Sequence, residues 1–152
     1  MSYPAAEIQV GAGWISLSPL PGRGGDLAAD VAGLVRWRAD LLVSLTEAAE
    51  MVTGDLPGAL LAAGIGWRHL PIPDFGIPDG SAEAVVRGLT DRLAQGQRIA
   101  LHCMGGCGRS GMIALRLMVL AGEAPGPALE RLRAVRPCAV ETPAQYDWAA
   151  RG

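Results

Sequence analysis

Between Trp14 and Val135, short apolar runs of strand character alternate with segments whose apolar residues recur at helical spacing. That alternation restricts the chain to an α/β fold, a mostly parallel sheet flanked by helices. Residues 14–18 alternate apolar with polar, and 41–45 are almost continuously apolar, as in a strand covered on both faces. Residues 67–71 and 98–102 supply two more strands. Asp26 is placed to cap a helix carrying Leu27, Val31, Leu34 and Val35 on one face. A second helix over 55–63 stops at Gly64, and a third over 81–94 places Val85, Leu89 and Leu93 four residues apart. The stretch from Ser110 to Ala121 is apolar nearly all round and predicts a buried central helix. Two further helices are expected over 127–135 and from Pro143. The expected fold is α/β, a mostly parallel central sheet of four to five strands flanked by helices on both faces. No linker or repeat interrupts it, so residues 1–152 are expected to form a single compact domain.

Composition narrows the chemistry. The 13 basic residues are all Arg, so a Schiff-base lysine and a Walker-A lysine are both ruled out. The formal net charge of −2 and the scattered arginines give no electrostatic footprint for nucleic acid, and no such partner is expected. The longest charge-free stretch, residues 8–22, is broken by Gly, Ser and Pro and is shorter than the roughly 20 apolar residues of a membrane span. No membrane partner is expected. The first seven residues lack the basic start and apolar centre of a signal peptide, and the expected address is the cytoplasm. Cys103, Cys107 and Cys138 form no paired zinc spacing, so no metal is expected and reduced thiols are the simplest reading.

The candidate site follows from the strand at 98–102. Ligands of open α/β sheets bind beyond the carboxyl ends of the strands, and this strand runs into Cys103-Met104-Gly105-Gly106-Cys107-Gly108-Arg109-Ser110. Its glycines let the backbone curl into a nest of inward N–H groups, and the helix that follows adds the positive end of its dipole. A tetrahedral oxyanion fits such a nest, held by the amides of Met104, Gly105, Gly106, Cys107 and Gly108 and by the forked guanidinium of Arg109. The same donors favour the thiolate of Cys103, which is expected to be ionised at neutral pH and to attack phosphorus. Ser110 is expected to hydrogen-bond the sulfur, and His102 to orient the loop rather than transfer a proton.

His102-Cys103, five residues, then Arg109-Ser110 resembles the signature of cysteine-dependent protein tyrosine and dual-specificity phosphatases. The form HCxGGxGRS looks most like the cyclin-dependent kinase inhibitor 3 (kinase-associated phosphatase) type. Leu20-Pro21-Gly22, the PIPDxGxPD pattern from Pro71 to Asp79, and Glu141-Thr142-Pro143-Ala144-Gln145-Tyr146 extend the likeness over most of the chain. The resemblance implies a dual-specificity-phosphatase-like fold, no cofactor, and a phosphorylated protein substrate. It also implies a general acid on a separate loop, where Asp74 is the matching position and Asp79 the runner-up. Gln145 matches a glutamine near the hydrolytic water or bracing the nucleophile loop. Cys107 inside the loop and Glu141, where related enzymes often carry Gln, depart from the pattern.

The expected function is hydrolysis of phosphotyrosine, with phosphoserine and phosphothreonine left open, through a phosphocysteine intermediate. A sulfur transferase or arsenate reductase with a similar Cys-loop-Arg nest, and a non-catalytic phosphoprotein-binding module, are the competing classes. Two bland readings remain beside the sharp ones: Asp74 as a turn cap, and the four tryptophans as packing. Phe75 is a candidate to pack against a substrate ring, and His69 is expected to be structural. Cys107 is either a tolerated small residue or a redox partner of Cys103. The oligomeric state is not fixed by the sequence.

Overall fold

The computed structural model describes residues 2–151. The strands are β1 (Ala6–Val10), β2 (Gly13–Ser18), β3 (Leu41–Ser44), β4 (Gly66–His69) and β5 (Arg98–His102). The helices are α1 (Leu27–Trp37), α2 (Leu56–Ala63), α3 (Ala82–Ala94), α4 (Gly108–Leu120), α5 (Pro125–Val135) and α6 (Pro143–Ala150), and a 3₁₀ turn covers Ala48–Glu50. The sheet runs β1-β2-β5-β3-β4, parallel except for β1, which pairs antiparallel with β2. β5, the strand that leads into the glycine-rich loop, therefore lies at the centre.

Period-2 side-chain alternation divides the core into two layers. Ile15, Leu17, Leu41, Val43, Ile99 and Leu101 point to one face and pack with α3, α4, α5 and α6. Leu42 and Ala100 point to the other, against Val31 and Leu34 of α1 and Leu56 and Leu60 of α2. The α4 helix is the buried central helix the sequence implies: Met112, Ile113, Leu115, Leu117 and Met118 are all fully buried. Each such side chain removed from water contributes about 1.5–3 kcal/mol.

Local signals start and stop the elements as the sequence suggests. Asp26 accepts from the Ala29 amide at the start of α1, Asp55 does the same for Gly58 at α2, and Gly64 ends α2 in the left-handed conformation. Four details differ. The strand read at 14–18 is the second; Ile8 and Val10 are buried and Glu7 exposed in a preceding edge strand too short for its alternation to stand out. Val35 is half exposed, so the apolar stripe of α1 is narrower than its spacing implies. α5 begins earlier, with Pro125 in its first turn, where a missing N–H costs nothing. The 3₁₀ turn at Ala48–Glu50 was not anticipated at all. No helix among the described residues is long and apolar enough to cross a membrane.

Candidate active site

Register places Ser18, His102 and Ser44 side by side at the carboxyl end of the three central strands. The chain leaves this row at Cys103, which is buried and unpaired, and turns through Met104–Cys107 into α4. Outside groups take up the loop carbonyls. Met104 O accepts from the Leu20 amide (3.1 Å) and from Arg23 Nη1 (3.0 Å). Arg136 Nη2 donates to Gly105 O (2.8 Å) and its Nε to Gly106 O (3.1 Å). Cys107 O accepts from the Gly111 and Val140 amides. The amides from Met104 to Ser110 donate no hydrogen bond among the described residues. With carbonyls turned outward and satisfied, the free amides and the uncapped start of α4 form an anion-binding nest. Gly106 is obligatory here: its φ is +72°, and a Cβ would sit 2.5 Å from the Ser18 carbonyl carbon.

Arg109 is 2% exposed, so its charge needs partners inside the protein. Glu50 grips it in a two-toothed pair, Nη1 to Oε2 at 2.8 Å and Nη2 to Oε1 at 2.9 Å, and Nη1 also donates to Ile72 O at 3.0 Å. Asp74 Oδ1 stands 3.3 Å from Nη2. Burial works against the guanidinium charge, but the Glu50 bond and the electrostatic influence of the acidic groups around it, Glu50 and Asp74 among them, outweigh it and raise the Arg109 pKa. The Arg109 hydrogen bond correspondingly holds the Glu50 carboxyl below its ordinary value. Glu50 escaped the sequence reading. The signal that points to it is a buried arginine in need of a counter-ion, with an acidic segment just beyond the carboxyl end of β3.

His102 is fully buried, and burial lowers its pKa to about 4. Its Nδ1 lies 3.1 Å from Cys103 O, an acceptor only, so Nδ1 carries the proton. Nε2, 2.6 Å from Ser44 Oγ, accepts the hydroxyl proton, and Trp67 Nε1 donates to the same Oγ at 2.9 Å. This neutral, oriented imidazole fits the orienting role expected of His102. His69 binds Thr46 O (2.7 Å) and stacks on Trp67, in keeping with a structural role.

The other expected site residues divide. Asp74 reaches Arg109, whereas Asp79 accepts from the amide and hydroxyl of Ser81 just before α3, which leaves the runner-up acid engaged elsewhere. Phe75 is 59% exposed beside Asp74, with φ +60°. Gln145 accepts from the Glu141 and Thr142 amides, and its Nε2 donates to Gly76 O in the Asp74 loop (3.3 Å), so it braces that loop. Ser110 Oγ is buried without a hydrogen-bond partner, so the expected bond to the Cys103 sulfur is not made. Both readings of Cys107, and the expectation of reduced thiols, are corrected: Cys107 is disulfide-bonded to Cys138, with Cα atoms 5.1 Å apart. The α5–α6 connection lies close behind the loop, a contact between positions distant in sequence that spacing alone does not reveal.

A buried free cysteine leading into the amide nest, a buried arginine at the start of α4 and a carboxylate from a separate loop within 3.3 Å of that arginine are an arrangement of the cysteine-dependent tyrosine and dual-specificity phosphatase kind, on an α/β sheet. A family model described as polymorphic toxin system, DSP-PTPase phosphatase, matches residues 23–123. That match spans well over half of the chain, and the chain belongs to this phosphatase family. It is also similar to cyclin-dependent kinase inhibitor 3 of Mus musculus, 39% identical over 88 residues. The human counterpart is 35% identical over 89 residues. Both matches take in 56% of this chain and 42% of the relative, so they span under half the length of those proteins. Among solved structures, kinase-associated phosphatase with its catalytic-site cysteine replaced by serine superposes with a TM-score of 0.80, at 26% identity over 90% of this chain and 83% of that one. The active form of Tk-PTP gives 0.77, at 30% identity over 96% and 94%.

Proposed function

We propose that the chain hydrolyses phosphotyrosine in proteins through a phosphocysteine intermediate, with Asp74 as general acid. The observation that carries this reading is Asp74 Oδ1 at 3.3 Å from the Arg109 guanidinium, which sets a carboxyl group at the rim of the anion nest. The nest amides and Arg109 hold the three non-bridging phosphate oxygens. The Cys103 thiolate forms the S–P bond as the P–O bond to the substrate breaks, and Asp74 gives its proton to the departing oxygen. Asp74, now a carboxylate, takes a proton from water; the water oxygen bonds to phosphorus and the sulfur leaves as thiolate. The Ser110 hydroxyl, buried and otherwise unpartnered, is available to that sulfur. Phosphoserine and phosphothreonine are further substrates under the same chemistry, and Phe75 is the side chain placed to meet a substrate ring. A cytoplasmic setting belongs to this reading for the reduced protein only, because disulfides persist in oxidising compartments.

The test is a phosphopeptide panel with the wild type, Cys103→Ser and Asp74→Asn. Cys103→Ser is expected to lose turnover and keep phosphate binding. Asp74→Asn is expected to slow alkyl and poor-leaving-group aryl esters by about 10²–10⁴-fold, and p-nitrophenyl phosphate far less. Full turnover by Cys103→Ser would refute the proposal.

A further inference from the structure

The connection between α5 and α6 takes no part in the chemistry above, yet it contacts the nest from behind at four points. Arg136 holds the carbonyls of Gly105 and Gly106 with two guanidinium bonds of 2.8 and 3.1 Å. The Val140 amide reaches Cys107 O at 3.4 Å. Gly111, in the first turns of α4, lies so close to this segment that a Cβ would meet the Val140 nitrogen at 2.5 Å. The Cys107–Cys138 disulfide then ties the residue before α4 to the same segment, 31 positions away.

We propose that Cys138 and Arg136 are positioning residues that keep the loop carbonyls turned outward, and hence the nest amides turned toward the anion. The disulfide makes this hold sensitive to thiol reductants. The inference deepens the phosphatase reading and rests on it only for the identity of the bound anion as phosphate. Turning a peptide unit inward would bring a carbonyl oxygen toward phosphate in place of an N–H, so anything that fixes the carbonyls outward bears directly on anion affinity. Cys107 cannot act alone: its own amide is one of the nest donors, and its side chain is anchored only through Cys138.

The chemistry is thiol–disulfide exchange with a dithiol. One thiolate of the reductant attacks the sulfur of Cys138, an exposed residue, and Cys107 leaves as thiolate and takes up a proton. The second reductant thiolate then displaces Cys138 from the mixed disulfide. The products are two protein thiols and one cyclic disulfide, with two electrons passed to the protein. Cys103, buried and unpaired, stays outside the exchange.

The decisive experiment uses Cys103→Ser protein, in which the only thiols are those of Cys107 and Cys138, so the readout needs no turnover. After equilibration with oxidised glutathione, non-reducing peptide mapping is expected to show the 107–138 bridge. Isothermal titration with inorganic phosphate should then give a Kd that rises about two- to tenfold on adding dithiothreitol, the span of one net hydrogen bond. The doubly substituted Cys103→Ser, Cys138→Ser protein should show the weaker Kd with or without dithiothreitol. Arg136→Gln in the Cys103→Ser background should weaken phosphate binding under oxidising conditions. Circular dichroism at the titration temperature checks that each form is folded, and the reductant arm stands if a variant fails to fold. In the wild type the same reduction should raise KM more than it lowers kcat. A phosphate Kd indifferent to reductant, or the absence of a 107–138 bridge after oxidation, overturns the proposal. If turnover is missing while phosphate Kd still follows the disulfide, the phosphatase reading fails and this one survives.

Discussion

At Arg109, two carboxylates from segments far apart in sequence meet one guanidinium. Glu50 makes the two-toothed pair and Asp74 stands at 3.3 Å, so the proposed general acid shares one cation with Glu50. Glu50→Gln keeps one acceptor oxygen and removes the charge. Because the Glu50 side chain retains 22% exposure, solvent softens the loss, and stability is expected to fall by about 1–3 kcal/mol, measured by urea unfolding at neutral pH. The same variant should raise KM for phosphomonoesters, since Arg109 loses the partner that fixes its plane. An unchanged KM would show that Ile72 O and the nest suffice to orient the arginine.

Among the elements, the Asp74 loop depends most on a distant partner. Its three prolines and two glycines between residues 71 and 80 supply few backbone hydrogen bonds of their own. Gln145 compensates from α6: its side-chain oxygen accepts from the Glu141 and Thr142 amides, while its nitrogen donates to Gly76 O. Thr142 completes a reciprocal cap by accepting from the Gln145 amide. Gln145→Ala removes the side-chain half of this cap and the tie to the loop. We expect a loss of about 1–2 kcal/mol in urea unfolding. We also expect a lower kcat for poor-leaving-group esters, where the proposed proton delivery by Asp74 counts, with little change for p-nitrophenyl phosphate. Equal loss on both substrates would place Gln145 at the nest instead of the acid loop.

For the whole molecule, acid sensitivity follows from His102. Burial depresses its pKa from 6.5 to about 4, so the unfolded chain binds a proton that the folded one refuses. Stability is therefore full above pH 6.5 and is lost as pH falls toward 4, by up to about 3 kcal/mol. Glu50, also depressed, adds its loss below its ordinary value of 4.5. Urea midpoints between pH 4.5 and 7 should fall with acid, and His102→Gln should flatten the slope; a wild-type slope of zero would contradict the buried neutral imidazole. Much of this protein was legible in the chain alone. Strand and helix periods, the cap at Asp26, the stop at Gly64, and the residues from His102 to Ser110 all express short-range chemistry: side-chain alternation, N–H capping, and glycine's access to left-handed backbone. Asp74 was named from the motif spacing, and the structure sets its carboxylate 3.3 Å from Arg109. Glu50 on Arg109, Gln145 on Gly76, and the bridge from Cys107 to Cys138 were settled only by tertiary structure. Each joins residues whose separation along the chain carries no periodic signal, and only the packing of helices onto the sheet brings them within bonding distance.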